Sequence, residues 1–134
     1  FNDEMMTKVD EARNFVSETG VDLFAPAVGN IHGMVKGGDP KLNIERIREI
    51  KEAVGIPLVL HGGSGNTDEE FKNAIQAGIS VVHINTEIRL AYRQILQKTL
   101  SENPDEVAPY KFLRPAVQAM QAVIEKKLSL FNNL

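Results

Sequence analysis

Chemistry in this chain would start from its three histidines, His32, His61 and His83. A neutral imidazole is a good ligand for a divalent cation. Two of them at about 2.0–2.1 Å from one ion, with a third protein ligand and an open position, make a catalytic zinc site. The chain has no cysteine, so disulfides and thiolate ligands are excluded, and a metal would have to be held by His, Asp, Glu or water. Directly after His61 runs Gly62-Gly63-Ser64-Gly65. Glycines let backbone N–H groups close on an anion, and a serine adds a hydroxyl donor, so this run suits a phosphate. Asn85-Thr86 offers further donors, although Thr86 followed by Glu87 reads as well as the start of a helix. A glycine-serine run is also what a plain loop looks like, and any single histidine can be a satisfied loop residue. The elements that carry them decide between these readings.

Glu4 to Thr19 reads as an amphipathic helix with Val9, Ala12, Phe15 and Val16 on one face and Gly20 as its stop. Val21 to Val28 is a short apolar run, expected as a strand leading into Gly29-Asn30-Ile31-His32-Gly33. Lys36 to Lys41 carries too many breakers for a helix. Asn43 caps a helix with Ile44, Ile47, Ile50 and Val54 at helical spacing and Gly55 at its end. Ile56 to Leu60 is apolar throughout, the pattern of a strand buried on both faces, and His61 follows it. Thr67-Asp68-Glu69-Glu70 is a capping box that opens a helix carrying Phe71, Ala74 and Ile75 and stopping at Gly78. Its N-terminus would add a positive dipole end behind the glycine run. Ile79 to Ile84 is a third strand. A long helix follows with Ile88, Ala91, Tyr92, Ile95 and Leu96 facing the core. Pro104 and Pro115 then bracket a turn-rich segment before a last helix carrying Val117, Met120 and Ile124.

The order α-β-α-β-α-β-α, with apolar strands and short connections, is the signature of a parallel sheet covered by helices. Three such strands are few for a free-standing sheet domain. They fit the C-terminal portion of a (β/α)8 TIM barrel, a fold that needs eight strands and typically about 250 residues. In that fold the loops after the strands converge on one mouth, where active sites lie. All three histidines fall at or just beyond expected strand ends, so the imidazoles of His32 and His61 could meet at one point. Composition narrows the rest. Hydrophobic residues make up 43%, charged residues 25%, and the net charge is −3, which offers no basic excess for nucleic acid. No apolar run is long enough to span a membrane. The lack of cysteine fits a cytoplasmic setting.

Three blocks resemble one family. Ala27-Val28-Gly29-Asn30-Ile31-His32-Gly33-Met34, Leu58-Val59-Leu60-His61-Gly62-Gly63-Ser64-Gly65 and His83-Ile84-Asn85-Thr86-Glu87 are similar to successive blocks of the class II fructose-bisphosphate and tagatose-bisphosphate aldolases. Lys111-Phe112-Leu113-Arg114-Pro115-Ala116 resembles that family's closing segment. The resemblance implies reversible cleavage of a ketose 1,6-bisphosphate to dihydroxyacetone phosphate and glyceraldehyde 3-phosphate, as in glycolysis. It implies Zn2+ as Lewis acid, held by His32 and His61, with a monovalent cation as a further candidate. Gly33, Gly62, Gly63, Ser64, His83, Asn85 and Thr86 would surround the dihydroxyacetone phosphate portion, and the full-length enzyme would be a homo-oligomer.

The chain departs from the family pattern in two places. His83 stands where the family usually has asparagine, which leaves it as a substrate contact or, alternatively, a metal ligand. The family also draws a third zinc-binding histidine and its proton-donating aspartate from an Asp-His pair, and no such pair occurs in the 134 residues. Asp3, Asp10, Asp22, Asp39, Asp68 and Asp105 match none of its motifs. The expectation is therefore that residues 1–134 form the C-terminal half of a barrel aldolase whose N-terminal half is absent. No catalytic acid can be named within the chain, which by itself should be inactive and bind zinc weakly. The competing readings are another phosphate-binding barrel enzyme and a non-catalytic fragment that binds a sugar phosphate or serves in assembly.

Overall fold

The structure is a computed structural model that describes residues 3–31, 33 and 42–132. Its elements are α1 (Val9–Thr19), α2 (Ile44–Val54), β1 (Leu58–Leu60), α3 (Asp68–Ala77), β2 (Ile79–Val82), α4 (Thr86–Glu102), α5 (Pro109–Phe112) and α6 (Arg114–Asn132). A single 3-10 turn at Asp3–Met5 precedes α1. The chain forms two compact units, one ending at Ile84 and the other starting at Asn85.

In the first unit β1 and β2 pair in parallel, and all three residues of β1 are buried. Burial on both faces is what the unbroken run Leu58-Val59-Leu60 requires. α2 packs against both α1 and α3, and α3 against β2. Ile47, Ile50, Leu58, Leu60, Phe71 and Ala74 are fully enclosed and make the core. The helix ends are set locally. Asn43 accepts a hydrogen bond from Arg46 N at 2.9 Å, and Gly55 closes α2 in left-handed backbone. Thr67 and Glu70 form the reciprocal capping box. The Glu70 carboxylate also accepts from Leu42 N at 3.3 Å, tying the start of α3 to the residues before α2.

Three expectations need correction here. The helix expected from Glu4 starts only at Val9. Thr7 spends its N–H on Ala27 O at 2.8 Å and its carbonyl on Arg46 Nη1 at 3.0 Å, so its backbone has no part in a helical ladder. The strand expected over Val21 to Val28 shrinks to one parallel bridge, Phe24 to Leu58. Beyond Phe24 the segment is held by scattered partners: Thr7 Oγ1 on Ala27 N, and Asn43 N on Val28 O. Finally, Phe15, assigned to the core face of α1, is 49% exposed and lies against Phe24, ring centroids 5.7 Å apart. Lys36 to Lys41 lies outside the described residues.

In the second unit α6 packs along α4 and also touches α5. Pro115 sits in the first turn of α6, as its lack of an N–H favours. The buried stripe of α6 is not the expected one. Val117 and Ile124 are exposed, and Ala116 and Lys127 are buried instead. Lys127 Nζ lies 3.2 Å from Glu87 Oε2, so the buried ammonium is paired with a carboxylate on α4. Ile88, Ala91, Tyr92, Ile95 and Leu96 of α4 are half-buried.

Candidate active site

The site forms where β1 and β2 end. Their register is Leu58 to Ile79, then Val59 to Val81 and Leu60 to Val82, so one residue of β2, the exposed Ser80, is skipped. Bulges of this kind re-aim side chains. An unbroken register would set His61 opposite Val82. The shift sets His61 opposite His83. Backbone bonds hold the alignment past the strand ends: His83 N donates to Leu60 O at 2.9 Å, and Gly63 N to His83 O at 3.4 Å.

The two imidazoles meet. Nδ1 of His83 is 3.4 Å from Nδ1 of His61, and the rings stand edge to face at 88° with centroids 4.4 Å apart. The nitrogens are closer than the centroids, so the rings lean together through their nitrogen edges. His61 is half-buried and His83 exposed, which leaves the pair open to solvent on one side.

The glycine run then turns away from the strand. Gly62 has φ 63°, left-handed backbone that side chains adopt only at a cost. Gly63 is glycine for a different reason. A Cβ there would stand 3.0 Å from Ile84 Cδ1 and 3.1 Å from Phe71 Cε1, so the loop lies flat on the core. Ser64 and Asn66 are buried under it. Both side-chain amide atoms of Asn66 lack a hydrogen-bond partner among the described residues.

Asn30 also belongs to this site in the first unit and was not among the expected site residues. Its Oδ1 accepts from Val28 N at 2.8 Å, and its Nδ2 donates to His61 O at 2.9 Å. It therefore ties the loop before His32 to the backbone of His61. No signal of spacing could reveal this, because the partner lies 31 residues further along the chain.

Of the expected site residues, His61, Gly62, Gly63, Ser64 and His83 come together in this way. Among the described residues nothing stands within 4 Å of where a Cβ on Gly33 would be. His32 lies outside the described residues. Asn85 and Thr86 belong to the second unit, where Thr86 is the first residue of α4 and Asn85 takes the cap position without a side-chain bond. Among the described residues no group of three or more His, Cys, Asp and Glu could hold a metal ion. The Nδ1 atoms of the pair stand at a spacing open to a hydrogen bond or to two ligands of one ion. Two nitrogens at 2.0–2.1 Å from a tetrahedral cation stand about 3.3–3.4 Å apart, close to the separation seen.

A family model, fructose-bisphosphate aldolase class II, matches residues 1–134. The chain belongs to this family. It is 37% identical over 123 residues to the fructose-bisphosphate aldolase of Geobacillus stearothermophilus, covering 92% of this chain and 42% of that protein. The chain thus spans about two fifths of the length of that curated relative. The crystal structure of the YdjI aldolase from Escherichia coli K12 superposes with a TM-score of 0.80 at 37% identity, over 94% of this chain and 46% of that one. Fructose-bisphosphate aldolase from Campylobacter jejuni gives the same TM-score at 21% identity, over 96% and 46%, a likeness of fold. The fold is accordingly part of a TIM barrel, seen here as a short parallel sheet with its helices. Among the described residues no helix is long and apolar enough to cross a membrane.

Proposed function

We propose that the chain supplies the cation-binding and phosphate-binding half of an enzyme that cleaves fructose 1,6-bisphosphate to dihydroxyacetone phosphate and glyceraldehyde 3-phosphate. The observation that carries this reading is His61 at the end of β1, edge to face with His83 and continued by the left-handed Gly62 and the buried Ser64. An imidazole ligand and an anion cradle one residue apart suit a substrate with an oxygen-rich reacting end and a phosphate close behind it.

His61 would hold the cation, joined by His32 on the strength of the family pattern. When bound, zinc supplies Lewis-acid stabilisation of the negative charge that develops on the substrate oxygens. The residues of the chain do the rest. The backbone N–H of Gly62 and the Ser64 hydroxyl would grip the phosphate, on a loop that Gly63 lets lie flat on the core, and the capped start of α3 would add the favourable end of a helix dipole. Anchoring the phosphate spends binding energy away from the reacting carbons to orient them. The family pattern adds Gly33, Asn85 and Thr86 to the substrate contacts. His83, at 3.4 Å from His61, is within reach of substrate or cation.

The third metal ligand and the acid that protonates the leaving aldehyde would come from outside these 134 residues, because the chain contains no Asp-His pair. Residues 1–134 would then be the C-terminal half of the barrel, working within a homo-oligomer of the full-length enzyme.

The test is a coupled assay for dihydroxyacetone phosphate released by the full-length protein, before and after removal of metal by a chelator. The reading predicts turnover of fructose 1,6-bisphosphate that the chelator abolishes and zinc restores. Turnover of tagatose 1,6-bisphosphate alone would reassign the substrate, since the two differ at one hydroxyl centre. Turnover unaffected by the chelator would overturn the assignment of His61.

A further inference from the structure

We infer that Asn66 is a further residue of the phosphate site, its side-chain amide donating to the anion that Gly62 and Ser64 hold. The inference rests on the reading of the glycine run as a phosphate cradle and adds a donor to it. Three observations carry it.

The first is the amide itself. Asn66 is only 7% exposed, and neither its Oδ1 nor its Nδ2 has a hydrogen-bond partner among the described residues. Enclosing an amide without partners is costly, and folded proteins rarely leave both of its atoms unmatched. The second is a shortage of donors in the cradle. Gly63 N is committed to His83 O, Asn66 N to Gly63 O and Thr67 N to Glu70 Oε2. Asp68, Glu69 and Glu70 occupy the first turn of α3, so carboxylates temper the attraction of that helix end for an anion. An uncharged N–H donor two residues beyond Ser64 answers the shortage. The third is the turn over the amide. Its two bonds, from Asn66 N to Gly63 O and from Gly63 N to His83 O, are both 3.4 Å, beyond the usual N–H···O range. Gly62 and Gly65, at φ 63° and 99°, bracket Gly63 and Ser64 and carry no side chain to brace the loop. The turn is therefore free to shift and uncover the amide as an anion enters.

A group that destabilises the fold and is satisfied on binding leaves a signature. Leucine has nearly the shape of asparagine and asks for no hydrogen bond. Exchanging an unmatched amide for an apolar group of like shape is neutral or stabilising, whereas removing a donor to a charged ligand weakens binding about ten-fold or more. Asn66→Leu should therefore keep or gain stability and lose affinity for phosphate. A residue with a purely structural role would show the opposite pairing.

The experiment follows thermal unfolding of the full-length protein and of its Asn66→Leu, Asn66→Ala and Ser64→Ala variants, with inorganic phosphate raised at constant ionic strength. The midpoint without phosphate reads stability, and its rise with phosphate reads affinity. Asn66→Leu is expected to unfold at or above the temperature of the unchanged protein, and to need about ten-fold more phosphate, or more, for the same rise. Asn66→Ala should lose phosphate response equally, and it supplies that reading if the leucine variant fails to fold. A folded leucine variant with a lowered midpoint would mean that the amide already has partners in the full-length protein, and would overturn the inference. So would an unchanged phosphate response in both Asn66 variants beside a weakened one in Ser64→Ala, a result that leaves the cradle standing. No phosphate response in the unchanged protein, or an unchanged one in all three variants, would overturn both.

Discussion

Asn30 shows how much of this site is held by hydrogen bonds between segments distant in the chain. Its amide bridges Val28 N and His61 O, at 2.8 and 2.9 Å. Removing the amide takes both part-buried bonds away at once. Asn30→Ala should therefore lower stability by about 1–3 kcal/mol, read as a shift of the denaturant midpoint. Gly63 makes a second prediction at this scale. With Ile84 Cδ1 and Phe71 Cε1 at 3.0 and 3.1 Å from a Cβ, Gly63→Ala must lift the loop or shift the ring. Overpacking of that kind costs about 1–3 kcal/mol. It should also weaken inhibition by inorganic phosphate, because the N–H groups beside it would move. Loss of stability without any change in phosphate inhibition would separate the packing role of Gly63 from its proposed role in the cradle.

At the scale of elements, local signals were legible and distant ones were not. Asn43, Gly55, and the Thr67–Glu70 box could be read because each partner lies within a turn of the residue that needs it. The break before α1 could not, since it depends on Ala27 and Arg46 taking the backbone groups of Thr7. The bulge at Ser80 is equally a matter of two strands meeting. On α6 the pattern of apolar residues favoured Val117 and Ile124, yet the helix buries Ala116 and Lys127, because a lysine with Glu87 beside it can enter the interface. Lys127→Ala should leave the Glu87 carboxylate half-buried without that partner, at a cost of about 1–3 kcal/mol in thermal or denaturant unfolding. Near α5, Glu106 accepts from Lys111 Nζ at 2.8 Å and Ala108 N at 3.0 Å. The Lys111 bond first, then the Ala108 bond, holds its carboxyl below the ordinary glutamate value. A lowered folded-state value means the associated stabilisation is present above the unfolded-state value and lost as pH falls through the folded one. NMR titration should find Glu106 depressed, and Lys111→Met should return it toward the ordinary value.

For the whole molecule, the barrel assignment was legible because β1 is apolar on both faces and His61 and His83 directly follow β1 and β2, a combination that suits parallel strands with a shared mouth. The sequence blocks around His61 and His83 also carried the family. What they did not carry was the contact between those two rings, which needs the register to slip by one residue. The account's central claim is that His61, at the mouth of the barrel, is the anchor of a zinc ion. Crystals of the full-length protein grown with zinc, measured on both sides of the zinc absorption edge, test it most directly. An anomalous peak about 2.0–2.1 Å from an imidazole nitrogen of His61 is the predicted result. Full zinc occupancy elsewhere, with no peak bonded to His61, would contradict it.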